Sequence, residues 1–315
     1  MNLQNFQVKD QHIDQEFQKL KQKHPEKLEQ PIKLAWSNWG FGRESLEVSL
    51  KRLSDNGLKY VELHGNHYAP DFGYDATAVK SLLAEFGMEV SGICGMFGPD
   101  NDLSSNLVRH QQAAVDYIRR ELEFGSEIGA SYLLVVPGAV GRPGPYDDCE
   151  LDRSAETLRM VADTFGSASI SAAIEPIRSA EVSLVHTFAD AVHYIDTVNH
   201  PSIQHINGDL YHMLTEEDHI GETILQHGDR LVNLHAADSN RGALGTGFLD
   251  VDTIIKALYL VGFNEQDRYV TFEPLGPGGD PYPALYGRPD TARLDALVQQ
   301  SVQAFRGRER QLVAE

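Results

Sequence analysis

Short apolar runs alternate with longer amphipathic stretches along the chain, and this alternation restricts the possible folds more than any other feature. Runs of five to nine residues are typical of buried β-strands, and a stretch of helical periodicity follows each run. The strand-like runs are residues 32–36, 59–63, 88–96, 131–138, 170–176, 203–209, 231–238 and 269–275. Helical patterns near residues 152–165 and 215–226 each predict one helix. The alternation predicts a parallel sheet, because a helix between two strands returns the chain to the same edge of the sheet.

A parallel sheet of this kind is either open and doubly wound or closed into a barrel. An open sheet usually carries a Gly-x-Gly-x-x-Gly segment after its first strand, whereas the segment that follows here is WSNWGFGRES. Glycines expected to end helices in the left-handed conformation are Gly57, Gly87, Gly129 and Gly262. Eight strand–helix units therefore predict an α/β fold, a single (β/α)8 TIM barrel that occupies residues 32–315.

Residues 1–31 differ in composition from the rest of the chain. The segment is polar and is expected to end near Pro25 and Pro31. At most a narrow helical stripe is given by its few apolar residues, which are Phe6, Val8, Ile13, Phe17 and Leu20. We predict a polar, solvated N-terminal helical arm. The alternative is an arm that docks onto another subunit.

Charge and cysteine content restrict the class of protein. The net charge is −19, with 46 acidic and 27 basic residues, which disfavours a protein that binds a nucleic-acid backbone. No apolar run reaches the roughly 18–20 residues that cross a bilayer, and the polar N-terminus does not resemble a signal peptide. Cys94 and Cys149 are isolated, so neither a zinc cluster nor a disulfide framework is expected. We predict a soluble cytoplasmic protein without nucleic-acid or membrane partners.

Ionisable residues stand at the ends of four consecutive strand-like runs: Glu175, Asp209, His235 and Glu273. In a (β/α)8 barrel these strand ends meet at one mouth. Any one of them alone is more often a strand-end polar group that hydrogen-bonds a loop, but four on consecutive strands are hard to explain in that way. Three carboxylates at one mouth would repel each other unless a cation lies among them. Carboxylates with one imidazole suit Mn²⁺, Mg²⁺ or Co²⁺, so the set predicts a divalent-metal site.

The same strand ends resemble a known family. The motifs that carry the resemblance are IEP with Glu175, GDLYHM with Asp209 and His212, LHAADSNRG with His235 and Arg241, and FEP with Glu273. Over residues 32–300 they resemble the xylose isomerase-like sugar isomerase/epimerase superfamily, and most closely its ketose 3-epimerases of the D-tagatose and D-psicose type. The resemblance implies a metal-dependent sugar epimerase.

The resemblance also implies residue roles. The implied ligands of the divalent ion, usually Mn²⁺, are Glu175, Asp209, His235 and Glu273. The same resemblance makes Glu175 and Glu273 the acid–base pair. The implied contacts to the substrate's carbonyl and hydroxyl oxygens are Glu181, His212 and Arg241.

Epimerisation beside a ketone explains why two carboxylates are needed. A proton must leave one face of the carbon and return to the other, and one base cannot easily serve both faces. A divalent ion would stabilise the enediolate that forms by polarising the carbonyl and hydroxyl oxygens. We therefore expect proton abstraction next to a sugar carbonyl, with a metal-stabilised enediolate.

Other residues near the expected mouth extend the list of candidates. His64 and His67 follow the second strand and are either ordinary loop groups or an additional acid or base, in contact with substrate. Trp36 and Trp39 lie near the end of the first strand and are expected to line the pocket, with simple barrel packing as the alternative. The loop at 274–290 is long enough to be a lid.

Tyrosines in that long loop, Tyr282 and Tyr286, would suit an aromatic group on a larger substrate. This feature favours an alternative within the same fold, the α subunit of a C-glycoside deglycosidase. Such proteins resemble this superfamily and release the aglycone from 3-oxo-C-glycosides together with a small β subunit. We therefore expect a homo-oligomer, or a hetero-oligomer with a small β subunit if the protein is a deglycosidase.

More distant alternatives fit the sequence less well. An endonuclease IV-like DNA repair enzyme would need a basic face, which the net charge of −19 disfavours. Xylose isomerase itself is expected to have a lysine close before a metal-binding aspartate, and IQHINGD contains none. A non-catalytic sugar-binding barrel would not need all four ionisable strand ends. The segment GALGTG at 242–247 is interpreted as a flexible turn, with a phosphate cradle as the alternative.

Overall fold

The eight strands form one closed parallel barrel in chain order, which confirms the predicted fold. The computed structural model describes residues 5–65, 74–275 and 290–314. The strands are β1 (Leu34–Ser37), β2 (Tyr60–His64), β3 (Glu89–Cys94), β4 (Tyr132–Val135), β5 (Ser171–Ile174), β6 (His205–Asp209), β7 (Leu231–Ala236) and β8 (Tyr269–Phe272). Hydrogen bonds between β1 and β8 close the barrel.

Helices surround the barrel, and their ends follow the local sequence. They are α1 (Asn5–Lys23), α2 (Leu46–Asp55), α3 (Ala76–Phe86), α4 (Val108–Ile128), α5 (Glu150–Arg159), α6 (Ala162–Ala168), α7 (Phe188–Val198), α8 (Leu210–Glu216), α9 (Ile220–His227), α10 (Val251–Leu260) and α11 (Thr291–Ala314). Thr187 and Asp190 form a capping box at the start of α7. Among the described residues, no helix has the length and apolar character that crossing a membrane requires.

Two helical predictions need correction. The stretch near 152–165 forms α5 and α6 and not one helix, because the chain makes a turn at Met160 and Val161. The stretch near 215–226 lies across α8 and α9, and α8 begins directly after Asp209. The four glycines predicted to end helices all have positive φ, as expected for left-handed caps.

The N-terminal helix α1 is less solvated than its composition predicts. Ile13 and Phe17 are fully buried, and the helix packs against α9 and α10. Lys256 of α10 donates to Asp14 at 2.6 Å, which adds an ion pair to this contact. One face of the arm is therefore part of the molecule's core, and only the opposite face is solvated.

Side chains inside the barrel lie in layers, because alternate residues of each strand point inward. Asn207 pairs in register with Asn233, and Asp209 pairs with His235 one layer higher. A lower layer contains Ala35, Ala173, Tyr269 and the ring of Tyr132, whose hydroxyl reaches Glu62. The polar residues at the carboxyl ends of the strands thus lie above a filled barrel interior.

Candidate metal and active site

The structure brings the four predicted metal ligands together at the mouth of the barrel. Asp209 and His235 lie in β6 and β7, while Glu175 and Glu273 directly follow β5 and β8. All four are buried. Donor atoms of Glu175, Asp209 and His235 lie within 4.8 Å of one another. His235 Nδ1 lies 3.5 Å from both Glu175 Oε1 and Glu273 Oε2, so the fourth residue borders the same space.

The electrostatics of this cluster suit a cation. Burial lowers the pKa of His235, but the carboxylates of Glu273 and Glu62 raise it well above its ordinary value. Burial raises the pKa of Glu273 to about 8; the charge of His235 opposes this shift, and Asp209 adds to it. The raised pKa values mean that protons on His235 and Glu273 offset the negative charge of the carboxylate cluster. A divalent ion held by three carboxylates and one imidazole would take over this role.

Beneath the ligands lies a buried polar layer that sequence reasoning did not identify. We call this layer the polar floor; its members are Glu62, Tyr132, Asn207, Asn233 and Thr271. Asn233 Nδ2 donates to Asn207 Oδ1 at 2.7 Å, and Thr271 Oγ1 donates to Asn233 Oδ1 at 2.6 Å. Tyr132 Oη donates to Glu62 Oε2 at 2.7 Å. The floor is a connected hydrogen-bond network, as a buried polar group requires.

The polar floor and its neighbours orient the ligand side chains. Asn207 Nδ2 donates to Glu175 Oε1 at 3.0 Å, and the Trp39 indole N–H donates to Glu273 Oε1. Asp209 caps α8, because its Oδ1 accepts the Tyr211 N–H at 2.8 Å. Each of these carboxylates thus has one oxygen engaged by the protein. These hydrogen bonds fix the orientation of the three carboxylates.

Glu62 is the ionisable group that the sequence reasoning missed. It lies on β2 between Val61 and Leu63 and is completely buried. Burial raises the pKa of Glu62, but the charge of His235 and hydrogen bonds from its neighbours bring the pKa below its ordinary value. A charged residue in the middle of an apolar strand was the available signal, because such a residue needs a buried partner.

Two of the candidate substrate contacts, Glu181 and Arg241, lie in segments that follow β5 and β7. Arg178 pairs with Glu181, and its Nη1 donates to Tyr211 Oη at 2.8 Å. The guanidinium groups of Arg178 and Arg241 lie 4.7 and 4.6 Å from the centre of the Tyr211 ring. Arg241 and Arg178, the partner of Glu181, therefore both contact the Tyr211 side chain, an arrangement that the sequence did not predict.

His212 is buried next to the ligand cluster. Its Nε2 lies 3.5 Å from Asp209 Oδ2. Its Nδ1 has no hydrogen-bond partner among the described residues, although the side chain is only 6% exposed. A buried nitrogen without a protein partner fits a group that hydrogen-bonds a bound molecule.

The remaining described candidates, which are Trp36, Trp39 and His64, lie in different parts of the structure. Trp36 is 1% exposed and stacks on Phe41 at 5.6 Å between ring centres, in the layer outside the barrel. It is Trp39 that contacts the ligand cluster, through Glu273. His64 is buried at the carboxyl end of β2, on the same side of the strand as Glu62.

Three candidates from the sequence lie outside the described residues: His67, Tyr282 and Tyr286. The same holds for most of the loop at 274–290. Their predicted roles therefore stay predictions.

An internal carboxylate organises the turn that contains GALGTG. Asp238 is 1% exposed, and its oxygens accept the backbone N–H groups of Ser239 and Gly245, each at 2.7 Å, and of Leu249 at 3.2 Å. Burial raises the pKa of Asp238, and these backbone donors bring it below its ordinary value. Backbone donors of this segment thus bind a side chain of the protein itself.

Fold and site together define a (β/α)8 protein with a carboxylate–imidazole centre at the carboxyl ends of its strands. The chain belongs to the family described as Xylose isomerase-like TIM barrel, whose model matches residues 50–295. This confirms the superfamily that the strand-end motifs indicate.

Curated relatives and solved structures agree with this assignment. A ketose 3-epimerase of Arthrobacter globiformis is 29% identical over 242 residues, which cover 76% of this chain and 81% of that protein. A 3-dehydro-D-guloside 4-epimerase of Escherichia coli is 26% identical over 259 residues, which cover 79% of this chain and 95% of that protein. The structure of an L-ribulose 3-epimerase has a TM-score of 0.76 at 21% identity and covers 90% of this chain and 96% of that chain, which shows a shared fold.

Proposed function

We propose that this protein is a divalent-metal-dependent sugar epimerase that moves a proton at a carbon next to a ketone, in the manner of a ketose 3-epimerase. The observation that carries the proposal is the pair of buried carboxylates Glu175 and Glu273, each with an oxygen 3.5 Å from His235 Nδ1. Their strands β5 and β8 are three positions apart in the barrel, so the two carboxylates approach the mouth from different directions. The sugar epimerases among the relatives support the same reaction type.

The two glutamates would divide the proton transfers between them. One carboxylate removes the proton from one face of the substrate carbon, and the other returns a proton to the opposite face. Contact with the ion would keep both carboxylates ionised near neutral pH, so either one can act as the base, and the glutamate that takes up the proton can then act as the acid. A divalent ion bound by Glu175, Asp209, His235 and Glu273 would polarise the substrate's carbonyl oxygen and favour negative charge there.

Other side chains would bind and orient the sugar. Arg241 and His212 offer N–H groups to substrate oxygens, and Glu181 offers an acceptor for a hydroxyl. Arg178 holds Glu181 by an ion pair, which restricts the positions that this acceptor can take. We include His64 as a further candidate contact, because it is buried at the same end of the barrel.

Proton NMR in D₂O tests the proposal. Mn²⁺-loaded and chelator-treated protein would be incubated with a panel of free ketohexoses and ketopentoses, and the sugars examined after removal of protein and metal. We expect deuterium at C3 and appearance of the C3 epimer, only with metal. No exchange into any ketose by metal-loaded protein would contradict the 3-epimerase proposal.

A second candidate is an enzyme that acts on an oxo-glycoside. It is favoured by the Escherichia coli relative, whose name describes a 4-epimerase of 3-dehydro-D-guloside. The same NMR assay with 3-oxo-glycosides separates the candidates, because exchange and epimerisation would then occur next to the ring ketone. Release of an aglycone from a 3-oxo-C-glycoside would identify the deglycosidase alternative.

A further inference from the structure

The two ring nitrogens of His235 face two different groups of side chains. Nδ1 faces the carboxylates of Glu175 and Glu273 at 3.5 Å. Nε2 faces downward into the barrel and lies 3.0 Å from both carboxylate oxygens of Glu62. The imidazole ring thus connects the candidate metal centre with the polar floor.

Glu62 is itself held in a single position. Tyr132 Oη donates to its Oε2 at 2.7 Å, and Asn233 Nδ2 lies 3.4 Å from the same oxygen. The side chain of Glu62 is completely buried in the barrel. A carboxylate with this many fixed partners can set the orientation of the group it binds.

We propose that Glu62 is a positioning residue for the metal centre: it accepts the Nε2–H of His235 and so directs Nδ1 toward the ion. This inference rests on the proposed function, because it takes His235 as a metal ligand. A histidine that ligates through one nitrogen commonly donates its other N–H to a carboxylate, which fixes the ring and its tautomer. Removing such a partner typically weakens metal binding about 10–100-fold.

Direct metal ligation by Glu62 is the competing explanation. Glu62, Cys94 and Glu273 also present donor atoms within 4.8 Å of one another. However, both oxygens of Glu62 lie at hydrogen-bond distance from His235 Nε2, and one also accepts from Tyr132. Glu62 therefore acts through His235, from below the ligands.

Titration calorimetry with Mn²⁺ tests this role without any substrate. We expect Glu62→Gln to raise the Kd for Mn²⁺ about tenfold or more, because the neutral amide is a weaker acceptor for the Nε2–H. Glu121→Gln is the matched control, since Glu121 is also a buried glutamate but lies on α4, outside the barrel. The control should bind Mn²⁺ with the wild-type Kd.

Tyr132→Phe keeps the test decisive if Glu62→Gln does not fold. It removes only the hydroxyl that holds Glu62, and we expect a Kd between those of the wild type and of Glu62→Gln. Nitrogen-15 NMR of histidine side chains adds a readout of the hydrogen bond itself: the Nε2 shift of metal-loaded His235 should change in Glu62→Gln and stay unchanged in Glu121→Gln. In Mg²⁺-loaded wild type the proton of His235 should reside on Nε2.

The outcomes separate this inference from the proposed function. If wild-type protein binds Mn²⁺ and folded Glu62→Gln binds it with the same Kd, the positioning role is wrong while the metal centre stands. With Tyr132→Phe as the only folded variant, an unchanged Kd has the same meaning. A proton on Nδ1 of His235 in the Mg²⁺-loaded protein also overturns the role. Wild-type protein that binds no Mn²⁺ overturns both.

Discussion

At the residue scale, Glu175 and Glu273 have the most direct test. We expect Glu175→Gln and Glu273→Gln each to lower the rate of C3 deuterium exchange about 10²–10⁴-fold, because an amide cannot transfer the proton. The exchange is followed by NMR on a ketose that the wild type converts. Glu127→Gln, an exposed glutamate on α4, is the control and should keep the wild-type rate. Full exchange in either active-site variant would remove that residue from the mechanism.

The protons held by His235 and Glu273 predict how metal affinity depends on pH. Carboxylate neighbours raise the pKa of His235 against the effect of burial, and burial raises that of Glu273 to about 8. A divalent ion must displace these protons, so the Kd for Mn²⁺ should fall as pH rises from 6 to 8. The expected slope is about tenfold per pH unit for each proton released. Calorimetry in buffers of different ionisation enthalpy counts the protons; a Kd independent of pH would contradict the prediction.

At the scale of elements, α1 should contribute to stability although it precedes the barrel. Phe17 is fully buried, and a Phe→Ala change at such a site typically costs about 3–5 kcal/mol. Phe17→Ala should therefore lower the free energy of unfolding in urea by an amount of this order. Phe6→Ala, on the 54% exposed Phe6 of the same helix, should change it little. Equal effects of the two substitutions would show that α1 does not pack as described.

A buried carboxylate in α4 predicts a pH-dependent stability. Burial raises the pKa of Glu121 to about 7, and Arg120 only partly opposes this shift. Because the folded protein holds this proton more tightly than the unfolded chain, the contribution of Glu121 to stability falls as pH rises from about 4.5 to 7. Glu121→Gln should therefore match the wild type at pH 5 and exceed it at pH 8, by on the order of 1–3 kcal/mol. Urea unfolding at both pH values measures the difference.

The sequence predicted the positions of some residues and elements better than those of others. Eight strand patterns and the rule that carboxyl ends of barrel strands meet were sufficient to bring Glu175, Asp209 and His235 together. The partnership of Glu62 with His235 was not predictable in this way, because Glu62 lies inside a strand and the rule concerns only the strand ends. The packing of α1 was missed for a different reason: its narrow apolar stripe contains Ile13 and Phe17 but does not specify the surface that they cover.

At the scale of the whole molecule, metal binding should stabilise the fold. An ion that binds only the folded state adds about 2.7 kcal/mol at a free concentration 100 times its Kd. We expect Mn²⁺ to raise Tm and a chelator to reverse the increase, as measured by differential scanning calorimetry. A Tm that does not respond to Mn²⁺ at saturating concentration would contradict a metal centre between strands. The oligomeric state, a cytoplasmic location and the role of the loop at 274–290 stay predictions.

The polar floor also constrains how this chain can evolve. Glu62, Tyr132, Asn207, Asn233 and Thr271 use one another's donors and acceptors, so replacing one member leaves another with an unmet hydrogen bond in the barrel. Substitutions at these positions are therefore strongly non-additive. A different set of residues can replace the polar floor only if several of its members change together. Natural variation at the five positions should therefore be correlated, even where the surrounding helices have diverged freely.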